Sequence, residues 1–152
     1  MSAIQLTPPN LELELEAFPI GSALENRLAS SVRAATRSGK IQLLAVALSS
    51  NRPVARALGV RVLRRAIYER EVFDELLAQH CFHLQRYSEI EYWYHSILRR
   101  YPLLRLAHRL RTEVFTQASP DLCLLHTRAL QMWRPQSAAL KKRALRMLQY
   151  AA

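Results

Sequence analysis

The sequence predicts an all-α protein. Seven to eight helices should pack as antiparallel hairpins, in a bundle or a short α-α superhelix, behind an extended acidic N-terminal arm. Three observations carry this expectation. Apolar residues recur at helical spacing through nearly the whole chain after residue 21. The 152 residues include only 3 Gly, too few for the many turns of a β-sandwich or barrel. The helical stretches are joined by links of about two to five residues, and short links favour antiparallel neighbours. With 50% hydrophobic and 22% charged residues, the chain can build a core, and a disordered or fibrous chain is excluded. The domain reading is an arm over residues 1–20 and one all-α domain over 21–152. No internal repeat of about 33–45 residues is evident.

Taken in order, the arm stands apart. Leu11-Glu12-Leu13-Glu14-Leu15-Glu16 alternates with period two, the signature of a strand. No second strand is evident to pair with it. Four readings stay open: the arm adds to another protein's sheet edge through Leu11, Leu13 and Leu15; its glutamates cover a basic face of its own domain; it is a short helix capped by Asn10; or it lies extended with its leucines on the bundle. Ser22 and Glu25 then have capping-box spacing. Leu24, Leu28, Val32 and Ala35 follow as a stripe, and Gly39 supplies a stop. A second helix runs from about Lys40 to Ser49. Asn51 caps a third, with Pro53 in its first turn, reaching about Tyr68. A fourth spans about Glu71 to Leu84, with Phe73, Leu76, Leu77 and His80 on one side. Ser88 caps a fifth that ends before Pro102. Leu103, Leu106, Leu110 and Val114 form the stripe of a sixth. Ser119-Pro120 opens a seventh, and Pro135 an eighth with Leu140, Ala144 and Leu148 inward.

Charge dominates the functional reading. The chain has 22 Lys+Arg against 12 Asp+Glu, a formal net charge of +10 and a pI near 10.4. The signs come in blocks. Residues 1–26 and 69–91 are acidic, whereas 27–68 and 92–152 are strongly basic. All but three of the cations are Arg, whose planar fork suits phosphate. Arg61, Arg64 and Arg65 share one helix face, as do Arg105, His108 and Arg109, and again Lys142, Arg143 and Arg146. Arg99 and Arg100 stand at a helix end. Like charges this close repel, and a bound polyanion relieves them. The plain alternative is a set of solvated faces. The expectation is a non-catalytic protein that binds RNA or DNA backbone with little sequence preference, beside other protein subunits of a nucleoprotein assembly. Its rival is a helical protein–protein adaptor that uses apolar surface and the leucine-rich arm.

Other chemistry is thinly represented. Tyr87, Tyr92, Trp93, Tyr94 and Tyr101 lie near Arg99, Arg100 and Arg105 and suit base stacking, but Trp93 aligns with Ile90 and Ile97 as a core residue would. His80, Cys81 and His83 with Cys123 and His126 offer zinc-type ligands. Their separation of about 40 residues and their apolar surroundings favour buried hydrophobes instead. No metal or cofactor is therefore expected. The acidic cluster Glu69, Glu71, Asp74, Glu75, Glu89 and Glu91 serves helix N-termini and nearby Arg. Phosphate loops, nucleophile elbows and H-E-x-x-H are missing, so an enzyme is not expected, nor a small-molecule substrate. Two Cys, no apolar run near 18 residues and an acidic start fit a cytoplasmic chain without a membrane segment.

Overall fold

The computed structural model describes residues 5–17, 19–135 and 137–149. Among them there is no strand. The helices are α1 (Pro8–Glu16), α2 (Ser22–Ala34), α3 (Arg37–Leu48), α4 (Pro53–Ala66), α5 (Arg70–Gln79), α6 (Tyr87–Ile97), α7 (Leu103–Arg109), α8 (Pro120–Met132) and α9 (Ala138–Gln149). A 3-10 turn covers Cys81–His83, and a π-helical segment, Leu110–Val114, continues α7. The all-α class holds. The helix beyond the seven or eight expected is α1.

Residues 8–16 are therefore helical rather than extended. The Thr7 hydroxyl accepts from the Asn10 N–H at 3.5 Å, and Pro8 and Pro9 occupy the first turn, where their fixed φ is already helical. The alternation misleads because it contains an i, i+4 pair. Leu11 and Leu15 share one helix side and are buried, whereas Leu13 points away and is 68% exposed. The Arg52 guanidinium closes the helix end, donating to the carbonyls of Leu15 and Ala17 at 2.5 and 2.8 Å. A cation there also complements the helix dipole.

Several boundaries move for the same kind of reason. Thr36 caps α3, its hydroxyl accepting from the Gly39 N–H at 3.1 Å. Gly39 thus sits in the first turn of α3 and does not terminate α2. Gly21, Arg52 and Arg86 occupy the cap positions expected for Ser22, Asn51 and Ser88, with no side-chain cap bond. Ser119 and Pro120 do open α8. Pro135 precedes α9 by three residues, and the Ser137 hydroxyl caps it through Leu140 N–H at 3.2 Å.

Contacts cluster into two compact units, residues 1–76 and 77–152. In the first, α3 packs on α4 and α1, and α2 packs on α4 and α3. Leu11, Leu28, Leu44, Leu58, Leu63 and Ile67 are fully buried. Gly59 permits the close α3–α4 approach: a Cβ there would lie 2.9 Å from a Leu48 methyl and 3.1 Å from the Ala47 Cβ. In the second unit, α6 packs on α8, α7 on α9, and α8 on α9. Ile90, Trp93, Tyr94, Ile97 and Tyr101 are buried there.

Candidate nucleic-acid interface

The cationic residues singled out by spacing divide between the units. Arg61, Arg64 and Arg65 lie on α4 in the first unit; Arg99, Arg100, Arg105, Arg109, Lys142, Arg143 and Arg146 lie in the second. On α4, one carboxylate from α2 takes up two of the three cations. Arg61 Nε donates to Glu25 Oε1 at 2.6 Å, and Arg65 Nη1 reaches Glu25 Oε2 at 3.4 Å and Asn26 Oδ1 at 3.1 Å. Arg64 stays exposed. The rest of this unit follows the same pattern. Arg27 grips both oxygens of Glu14 at 2.8 Å, Lys40 pairs with Glu69 at 2.6 Å, and Arg37 meets Glu71 at 3.8 Å. Hydrogen bonding to Lys40, against the opposing effect of burial, holds the Glu69 carboxyl below its ordinary pKa. Arg56 donates to the Ser50 carbonyl at 2.8 Å, at the end of α3.

The second unit differs. Arg109 is held by Glu113, one turn on, through contacts of 2.7–3.1 Å, and its guanidinium lies 5.6 Å from the Phe82 ring centre. It is a structural residue. Arg99 and Arg100 are exposed just past the end of α6, and Arg105 is exposed on α7. On α9, Lys142, Arg143 and Arg146 are all exposed. Among the described residues no carboxylate pairs with Arg64, Arg99, Lys142, Arg143 or Arg146. Helix α9, with sequence AALKKRALRMLQ, contains four cations and no acidic residue. Lys141 Nζ donates to the Gln131 carbonyl, tying the start of α9 to the end of α8.

The aromatic run is not a stacking platform. Trp93, Tyr94 and Tyr101 are core residues, Tyr87 is half-buried, and Tyr92 is 38% exposed. Among the described residues, no group of three or more His, Cys, Asp or Glu side chains is placed to hold a metal ion. The Cys123–His126 spacing splits instead. Cys123 is half-buried on one side of α8, and His126 turns inward to α6. There the Tyr94 hydroxyl and His126 Nδ1 share a hydrogen bond, and the Phe82 ring stands edge-on at 6.2 Å. His126 Nε2 is buried with no hydrogen-bond partner among the described residues. Burial lowers the His126 pKa to about 4 and raises those of Tyr94 and Cys81. Sequence reasoning missed this Tyr–His pair, because the signal for it joins residues 32 apart.

No helix among the described residues is long and apolar enough to cross a membrane. No family model, curated protein or solved structure matches the chain.

Proposed function

We propose that this chain binds nucleic-acid backbone through its second unit, without catalysis and with little sequence preference, as one subunit of a larger nucleoprotein assembly. The observation that carries the reading is α9, which exposes Lys142, Arg143 and Arg146 with no carboxylate paired to any of them among the described residues. The unit around it has twelve basic and four acidic residues, a net +8. Binding would proceed by displacing condensed counterions from the phosphates. Arg99, Arg100 and Arg105 would extend the contact. Because Glu25 already holds Arg61 and Arg65, the α4 trio is secondary in this reading. A titration of labelled single-stranded RNA and duplex DNA, followed by anisotropy at two salt concentrations, tests it. Binding at micromolar protein that weakens steeply with salt is expected; no complex at roughly physiological salt would refute the reading.

The adaptor reading keeps one observation of its own. An apolar groove runs between α8 and α9, next to the cationic face. Leu11 and Leu15, by contrast, are inside the first unit and leave only Leu13 of the arm's leucines at the surface.

A further inference from the structure

The groove between α8 and α9 has about 450 Å³ of free volume. Its α8 wall is a stripe at helical spacing: Pro120, Cys123, Leu124, Thr127 and Gln131. Leu145 and Leu148 of α9 face it. Leu124 is 48% exposed, a large apolar side chain left facing solvent inside a concave surface. From Pro120 to Gln131 the stripe extends roughly 16 Å at 1.5 Å per residue, about three turns of a facing helix. No lining residue is charged, so the floor itself offers a phosphate no ion pair.

The rim is cationic. Arg128, one turn beyond Leu124, and Lys142, three residues before Leu145, are both exposed, and neither is paired with a carboxylate among the described residues. Asp121, in the first turn of α8, is the single acidic residue on either helix. Residues 120–149 contain six basic residues against that one, so the surroundings of the apolar floor carry +5.

An apolar stripe of this length between cationic edges is complementary to one kind of partner. We infer that the α8–α9 groove docks a short amphipathic helix of another protein, with aliphatic residues at i, i+3 or i+4, and i+7, and with Asp or Glu on its flanks. The aliphatic side chains fill the space above Leu124 and Leu148, and the flanking carboxylates meet Arg128 and Lys142. Lys142 borders both this groove and the outward cationic face of α9, but the groove is distinguished by Leu124 and Arg128, and the outward face by Arg143 and Arg146.

The experiment uses the full chain and a fluorescein-labelled synthetic peptide of about eleven residues, with leucines at that spacing and glutamates between them. A second peptide carries lysines in place of the glutamates. Saturable anisotropy binding of the glutamate peptide alone is expected. Leu124→Glu should weaken it at least about tenfold and Arg128→Glu severalfold. Both positions are exposed, so circular dichroism and melting temperature should stay unchanged. Absence of binding, equal binding of the lysine peptide, or indifference to Leu124→Glu would each overturn the assignment. So would a dimer in sedimentation velocity that Leu124→Glu abolishes, which would make a second copy of the chain the occupant.

Discussion

The two units treat the same residue type in opposite ways. Residues 1–76 contain ten basic and eight acidic residues, a net +2, whereas residues 77–152 contain twelve and four, a net +8. In the first unit five arginines serve the fold. Arg61, Arg65 and Arg27 close onto carboxylates of other helices, and Arg52 and Arg56 close onto carbonyls at helix ends. In the second unit Arg109 closes onto Glu113 within its own helical run, and α9 presents Lys142, Arg143 and Arg146 outward. Arginine content therefore says little about ligands until the carboxylates are located. Three arginines on one helix face form an open anion site only if no neighbouring helix brings an acid to them.

Four measurements test this contrast, taken in descending order of expected size. Both tryptophans, Trp93 and Trp133, belong to the second unit, so their fluorescence follows that unit. His126 is buried with its pKa near 4, against 6.5 in a solvated chain. The unfolded state binds its proton first, so stability from this group is complete above pH 6.5 and is lost as pH falls toward 4. The loss should reach about 3 kcal/mol. Urea unfolding followed by tryptophan fluorescence at pH 7 and 4.5 should show most of it, and His126→Gln should flatten the difference.

Next in size is charge reversal on α9. Lys142→Glu, Arg143→Glu and Arg146→Glu together should lower affinity for duplex DNA about a hundredfold. They should also reduce the salt slope by about 2.7, at 0.9 per phosphate contact. An unchanged slope would show that the open cations are not the contact.

In the first unit the expected effects are on stability. Gly59→Val should destabilise by about 2 kcal/mol, because the added branches meet Ala47 and Leu48 across the α3–α4 contact; chemical denaturation followed by circular dichroism reads it. Smallest of all, Glu25→Gln should cost about 1 kcal/mol or less, since its partners are partly solvated. Nucleic-acid affinity and salt slope should stay as in the parent chain. A clear gain in affinity would mean that the first unit also contacts the polyanion once Arg61 and Arg65 are released.

Much of the helical skeleton was legible in the residues, because periodicity and prolines are local signals. Ser119-Pro120 located α8, and the stripe Leu103, Leu106, Leu110, Val114 located α7 and its π-helical continuation. What failed were features settled at a distance. The Leu-Glu alternation of α1 resembled a strand until Leu11 and Leu15 found a side to bury. Gly39 looked like a stop, yet Thr36 had already begun the next helix. In the candidate site, the i, i+3, i+4 spacing put Arg61, Arg64 and Arg65 on one helix face but could not see Glu25, which reaches Arg61 from 36 residues away. The exposed state of Lys142, Arg143 and Arg146 follows from their own helix, where Ala144 and Leu148 turn inward.

The Arg52 contact has a consequence for how the chain emerges during synthesis. Helix α1 has nine residues, too few to persist alone in water, and the group that completes its last turn lies 37 residues downstream of Leu15. Helix α1 is therefore synthesised before the residue that completes it and becomes permanent only after Arg52 has followed. Until Arg52 arrives, Leu11 and Leu15 remain uncovered on a fraying segment, which is the interval in which a nascent-chain chaperone has something to hold.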